Sequence, residues 1–505
     1  MTDSPSQSPG TVHLVGAGPG DPGLITVRAT ECLRQADLVL YDYLANPTLV
    51  EYAPEGAELI RLGRHDKGRT LTPDEITDVM VKAALEGRNV VRLKGGDPSI
   101  FARGGDEADA CRAAGVPFEI VPGITSGLAT AAYAEIPLTH HKDASAVALI
   151  TGHERDEKKE SHLDYQALAT FPGTLVFYMG VKWAGRWSEA LVEHGKSPDT
   201  PVAVVQWCSR ARQQTCKCTL GTVASVVGEQ GLKPPALFVV GKVVDHAPTI
   251  SWFQERPLFG TSVLVAGSKR TSSRIRKKIS VLGAEVITQP AIRVTGPSSW
   301  APVDATLETL GEYDWLVFTS GNGVDGLVGR IMETKGDVRP LAQVKIAALG
   351  RGTAERLEHY HLKADLAPAR VDADSLAHSL MERAESGAIL FARAGGSRPI
   401  LAEELEELGA AVDQVSVYRT VEVEEPNEDV ADALEAGEVS WIAVTSSPTA
   451  RSLVKLYGEA LRTARIVSIS PLTSATLREL GHPPATEAMP HTVDGLVQAM
   501  LPDGG

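Results

Sequence analysis

Three glycine-rich turns, each behind an apolar strand pattern, carry the residues best suited to chemistry. The first is Gly16-Ala17-Gly18-Pro19-Gly20-Asp21-Pro22-Gly23. A dinucleotide fingerprint beginning at Gly16 needs a third glycine where the chain has Asp21, and a carboxylate there repels a pyrophosphate. Pro19 and Pro22 also remove two backbone N–H donors of the kind that cradle phosphate. The turn therefore points to a ligand without phosphate. In the second turn, Arg92-Leu93-Lys94-Gly95-Gly96-Asp97-Pro98-Ser99-Ile100-Phe101, the glycines allow close approach of backbone to ligand. Asp97 can accept hydrogen bonds from ribose hydroxyls or an ammonium group. The third, Val121-Pro122-Gly123-Ile124-Thr125-Ser126, leads into a helix of small residues. Each alone reads equally well as a tight turn, but three at successive strand ends point to one ligand site.

Elements of the α/β class must position these turns. Apolar strand patterns open at residue 12 (VHLVGAG) and again at residue 262 (SVLVAGS), each followed by helix-like sequence, so the chain divides into two α/β modules. Between them, residues 245–260 carry prolines, charges and isolated aromatics without periodicity, which places the boundary near residue 257. The first module, 11–257, splits near residues 139–145 into lobes of about 11–140 and 141–245, and alternating strands and helices imply mainly parallel sheets in both. In the second module, 258–505, strand patterns at 314–319, 345–350, 388–393, 440–445 and 465–470 each lead into a polar turn and a helical stretch. Such repetition suits two doubly wound lobes with ligand groups at the carboxyl ends of the strands.

Composition narrows the function classes. A length of 505 residues implies several compact lobes. No run approaches the roughly 18 apolar residues of a membrane span. Residues 1–10 read as a disordered tail without the basic start and apolar run of a signal peptide, so the expected compartment is the cytoplasm. The cysteines number five, Cys32, Cys111, Cys208, Cys216 and Cys218, which argues against a disulfide framework. Cys216 and Cys218 form no CxxC pair, and no metal site is expected. A net charge of −15 disfavours nucleic acid, so an anionic ligand needs a local basic pocket. The segment Arg64-His65-Asp66-Lys67-Gly68-Arg69 offers one.

The run VHLVGAGPGDPGLITVRA, followed in order by LVLYDYL, VVRLKGGDPSIFARG, VPGITSG, EIPLTH, TGHE, LVFYMG and PPALFVVGKVV, resembles the uroporphyrinogen-III C-methyltransferase branch of the tetrapyrrole methylases over residues 12–244. The resemblance implies a two-lobed α/β fold, S-adenosylmethionine in the cleft between lobes, and double C-methylation of uroporphyrinogen III to precorrin-2 on the way to sirohaem or cobalamin. It places Pro19, Gly95, Gly96, Asp97, Ile100, Thr125, Ser126, Met179 and Cys208 around the cofactor. Asp42 matches the position of the family's proton acceptor, and its other reading is a turn or N-cap aspartate. Departures are specific. Ser126 stands for alanine and Cys208 for glycine. Arg64 stands for the lysine presumed to donate a proton; since guanidinium is a poor general acid, Arg64 is expected to bind a substrate carboxylate. His140-His141 stands for His-Arg, with His140 expected to meet a substrate carboxylate. Methylases of this family are commonly homodimers. A later-precorrin methylase is the nearest rival, and VVRLKGGDP, VPGIT and IPLTH favour the early branch.

From residue 261 the chain is similar to uroporphyrinogen-III synthases, on DWLVFTSGNGV, AALGRGTAERL, ILFARAGG, VSVYRT, AVTSSPTA and ISPLTSATLRELG. The similarity implies two flavodoxin-like lobes joined by a two-stranded ladder, one formed by about 261–292 plus 421–501 and the other by about 293–420. It implies closure of hydroxymethylbilane to uroporphyrinogen III without a cofactor. Tyr418 is expected at the cleft as the leading catalytic candidate. Thr319, Ser320, Arg393, Thr445, Ser446 and Thr473 are expected to bind substrate, although such hydroxyls also serve as caps. Ile469-Ser470-Pro471-Leu472-Thr473 departs from the family's Ile-Gly-Pro-Thr-Thr, which leaves a tetrapyrrole-binding module without turnover as the other reading.

Overall fold

Strands buried on both faces build the first lobe. A computed structural model describes residues 8–54, 56–63, 71–153, 162–267, 269–290, 292–368, 373–384, 387–396 and 400–502. β1 (Val12–Gly16), β2 (Leu38–Asp42), β3 (Glu58–Leu62), β4 (Val90–Lys94) and β5 (Phe118–Val121) form a sheet in the order β3-β2-β4-β1-β5, parallel throughout. All residues of the central β1 and β4 are buried, as in sheets covered by helices on both faces. Because the strands are parallel, their carboxyl ends share one edge, and the turns after β1, β4 and β5 become neighbours.

The second lobe corrects the parallel expectation. β6 (Val147–Thr151), β7 (Thr174–Tyr178), β8 (Pro201–Gln206), β9 (Gln214–Thr219) and β10 (Ala236–Val240) assemble as β6-β7-β10-β8-β9. Of these pairs only β6 with β7 is parallel, while β10 runs antiparallel to β7 and β8, and β8 to β9. The link from β8 to β9 is too short for a crossover, which takes about a dozen residues.

The second module contains two further sheets. β11 (Ser262–Gly267) and β12 (Glu285–Pro290) precede β13 (Ile292–Thr295), β14 (Trp315–Phe318), β15 (Lys345–Ala348), β16 (Ala388–Gly395) and the long β17 (Ala411–Glu422), before β18 (Trp441–Val444), β19 (Arg465–Ser468) and β20 (Thr486–Glu487). The order β12-β11-β18-β19-β20, all parallel, is the flavodoxin-like order. In the other sheet, β13-β17-β16-β14-β15, only β13 is antiparallel to its neighbour. Its ladder with β17, Ile292 to Thr295 against Glu422 to Arg419, is where the chain crosses between the lobes.

The aperiodic segment between modules is anchored by its aromatics. Trp252 Nε1 donates to the Ala132 carbonyl at 2.8 Å, and the Phe253 ring packs edge-on to Tyr133 at 4.7 Å. Across the junction, Glu51 accepts from Arg276 at 2.6 Å and from Thr288 at 2.7 Å. Arg210 of the first module reaches Glu285 of the second at 2.8 Å. Its side chain is 11% exposed, and its Nε and Nη1 meet no acceptor among the described residues. Burial pushes the guanidinium pKa down, and Glu285 opposes that shift. Glu285→Ala is expected to destabilise the chain by about 2 kcal/mol, because a buried cation loses its carboxylate. Arg210→Met in the same background should recover much of the loss. Equal urea midpoints for parent and Glu285→Ala would show the pair to be energetically idle.

Candidate active site

A cavity of about 310 Å³ lies where the three turns meet the second lobe. The turns are locked by backbone contact. The Gly18 N–H donates to Gly96 O at 3.2 Å and the Gly96 N–H to Gly18 O at 2.8 Å, with φ of 76° and 72° respectively, a region open to glycine. A Cβ on Gly123 would lie 2.2 Å from Gly96 O, so the turns after β4 and β5 touch with no room for a side chain. Pro19, Gly95, Gly96 and Ile100 line the cavity from these turns, with Thr125 and Ser126 at the start of the small-residue helix.

Asp42 ends β2 at the cavity wall. Its Oδ1 accepts from Arg92 Nη2 at 2.6 Å, and its Oδ2 faces the Gly95 N–H at 3.4 Å. Arg92 continues to Glu107 at 3.0 Å, and Glu107 accepts from Lys94 Nζ at 2.7 and 2.8 Å. Arg92, Lys94 and Glu107 are all buried. Two cations and two carboxylates therefore form a compensated chain that ends at the cavity. Burial, then repulsion from Arg92, pushes the Lys94 pKa down, with Glu107 opposing.

The second lobe supplies the facing wall. Tyr178 ends β7, where its hydroxyl lies 2.9 Å from Thr125 Oγ1 and accepts the Gly127 N–H at 2.9 Å, joining the lobes beside the cavity. Phe101, Met179 and Trp207, all lining residues, have φ of 54°, 55° and 50°. Three non-glycine residues in the left-handed region around one cavity mark local strain held by the surroundings, as at ligand sites. Cys208 also lines the cavity, and burial pushes its thiol up to about 12, so it stands as a small apolar wall and not as a thiolate that would compete for a methyl group.

Two expected residues lie outside the lining. Asp97 is outside the lining: its Oδ1 accepts the Ser99 N–H at 2.7 Å and its Oδ2 the Gly123 N–H at 3.0 Å. It ties one turn to the next. His140 also lies outside the lining, paired with Asp143 at 2.9 Å. Arg64 and the rest of the basic segment lie outside the described residues.

In the second module, the turns after β14, β18 and β19 share one construction. Ser320, Ser446 and Ser470 each cap a helix by accepting an N–H of its first turn. Ser320 Oγ also lies 3.0 Å from the Tyr418 hydroxyl. A register shift between Arg393 and Ala394 leaves Val417 as the extra residue opposite, beside Tyr418. Thr319 precedes the Ser320 cap, and Arg393 Nη1 donates to Gln414 at 2.8 Å. Thr445 donates to the Ala266 carbonyl at 3.2 Å, next to the Ser446 cap. Thr473 is 2% exposed with its hydroxyl 3.1 Å from Ser470 Oγ. The cap of that turn is Ser470, with the Thr473 hydroxyl beside it.

Comparison with known proteins fits this division. The family model of tetrapyrrole (corrin/porphyrin) methylases matches residues 11–224, and that of uroporphyrinogen-III synthase HemD matches residues 273–498. A porphyrin biosynthesis protein HemD from Ruminiclostridium josui is 34% identical over 508 residues, covering 98% of each chain. The chain belongs to the methylase and HemD synthase fusion family. A uroporphyrinogen-III C-methyltransferase of Bacillus subtilis (strain 168) is 40% identical over 350 residues, covering 69% of this chain and 71% of that one. An S-adenosyl-L-methionine-dependent uroporphyrinogen III methyltransferase of Methanosarcina barkeri (strain Fusaro / DSM 804) is 49% identical over 235 residues, covering 46% of this chain and 92% of that one.

Sequence reasoning missed several residues in and behind the wall of the methylase cavity of this fusion chain. Arg92 and Lys94 alternate on one strand, and so share a face, in an otherwise apolar run. Two buried cations two residues apart signal a carboxylate partner, although not which one. Tyr178 and Trp207 carry no such mark, because their role depends on how the second lobe docks.

Proposed function

We propose that residues 11–257 methylate uroporphyrinogen III twice to give precorrin-2, and that residues 258–505 make that uroporphyrinogen from hydroxymethylbilane. The observation that carries this reading is the cavity of about 310 Å³ with Asp42 in its wall, in a chain whose fusion relative matches it from end to end. The volume falls in the range of small-molecule sites, about 300–1,000 Å³. The residues fit S-adenosylmethionine: Val205, Ala236 and Leu237 give an apolar wall for a flat base, and Thr125 and Ser126 offer hydroxyls. The Gly18 and Gly96 N–H groups bond each other's carbonyls, so no nest of free donors competes for phosphate. Bound here, the cofactor supplies a methyl group activated on a sulfonium. Asp42 accepts a hydrogen bond from the pyrrole N–H and takes its proton as the ring gains positive character. Arg92, at 2.6 Å, fixes the carboxylate for that task. Arg64, on the basic segment, binds a substrate carboxylate.

In the synthase half, Tyr418 and Ser320 hold the reacting end of the bilane while the last ring inverts and water leaves. Thr319, Arg393, Thr445 and Ser446 stand at the carboxyl ends of the parallel strands, where doubly wound lobes bind ligands. The methylase module acts as a homodimer in the cytoplasm, a reading supported by its resemblance to the family. Among the described residues, no helix is long and apolar enough to cross a membrane.

A one-pot assay tests both activities. Full-length chain given hydroxymethylbilane and S-adenosylmethionine should yield precorrin-2, and without the cofactor the type-III isomer. Only the spontaneous type-I isomer would overturn the synthase reading, and unmethylated type-III product in the complete mixture would overturn the methylase reading.

A further inference from the structure

Apart from both sites, His140, Asp143 and His246 meet at one point. The first two lie on the tight turn closed by the His140 to Ala144 bridge, where the first lobe passes into the second. His246 ends the short helix Lys242–His246 that follows β10 and runs into the inter-module segment. His140 Nδ1 lies 2.9 Å and His246 Nε2 2.7 Å from the same oxygen, Asp143 Oδ2, and the three atoms fall within 4.8 Å of one another. The imidazole rings are 4.1 Å apart between centroids and inclined by 34°.

We infer that His140, Asp143 and His246 form a site for a divalent cation of the zinc type, a clasp between the inter-lobe turn and the helix leading to the second module. Donor atoms bonded to one such ion at about 2.0–2.2 Å stand about 3.3–3.6 Å apart in a tetrahedral shell, so the two imidazole nitrogens need only draw back from the carboxylate oxygen by about 0.5 Å to admit it. Both rings approach one carboxylate oxygen at hydrogen-bond distance, so the three donor groups already face one point, where an ion takes the place of the ring protons. Two imidazoles and one carboxylate form a donor set that zinc accepts, with water in the remaining position. The side-chain exposure of His246, 39%, gives an ion a way in.

The test uses tag-free full-length chain, stripped with chelator and titrated with zinc by calorimetry, and with cobalt by absorption. One zinc per chain at micromolar or tighter affinity is expected, with visible cobalt bands and no sulfur-to-cobalt charge transfer, which excludes Cys216 and Cys218. His246→Ala and Asp143→Asn should each weaken binding by about 100-fold or more, since each removes one ligand. Zinc should raise the Tm of the parent chain and not of folded variants. Failure of the parent chain to bind zinc, or equal binding by a variant with unchanged circular dichroism, would overturn the inference.

Discussion

Asp42→Asn is expected to lower the kcat of methyl transfer by about 100- to 1,000-fold, while the KM for S-adenosylmethionine stays within a few-fold of the parent. The substitution keeps the shape of the side chain and removes its capacity to accept a proton. It also removes one of the two carboxylates that neutralise Arg92, which keeps its 3.0 Å contact with Glu107. A loss of folding is therefore a rival cause of lost activity, and the two separate by experiment. Calorimetric cofactor binding and the thermal transition report the state of the cavity, whereas single-turnover methylation reports the proton acceptor. If Asp42→Asn binds cofactor and methylates uroporphyrinogen III at the parent rate, Asp42 is a structural partner of Arg92 and nothing more.

The same carboxylate shows what was legible in the chain. Its place at a strand end beside the glycine turns followed from local pattern, because strand, turn and helix signals are written over a few residues and parallel strands bring their carboxyl ends to one edge. What Asp42 touches was not legible. Arg92, Lys94 and Glu107 come together because β4 lies beside the helix Gly104–Ala113, a matter of packing that spacing alone does not fix. The second lobe reads as alternating strands and helices whether β10 enters its sheet parallel or antiparallel, and the choice depends on neighbours far along the chain. Ser470 was legible in another way. The cap rule, a serine just before a proline that opens a helix, picks it out from sequence, and the fold sets the Thr473 hydroxyl 3.1 Å from it. His246 is over a hundred residues from His140, and two adjacent histidines gave no sign of it.

The Asp42 chain also sets the largest stability effect. Glu107→Gln is expected to cost about 3–5 kcal/mol, the range for a buried ion pair that loses one partner. Glu107 receives Lys94 through both oxygens and Arg92 through one, so the amide leaves two buried cations with only Asp42 for compensation, and Asp42 contacts Arg92 alone. Lys94 then bears the consequence. Its folded pKa already lies below the ordinary lysine value of 10.5 through burial and Arg92, and Glu107 is what resists that shift. Without Glu107 the folded pKa falls further while the unfolded value stays put. Between the two values the unfolded chain binds more protons, so stability rises with pH through that window. Below the folded value the full cost is present, and it fades as pH approaches 10.5. Urea unfolding of Glu107→Gln between pH 7 and pH 10 should therefore show a midpoint that climbs with pH more steeply than the parent's. Lys94→Met in the same background should flatten the pH dependence and restore part of the stability, because an apolar side chain needs no counter-charge there. A Glu107→Gln midpoint equal to the parent's across the range would mean that the buried cations are neutralised by something other than Glu107, and that the fixed orientation of Asp42 has another source.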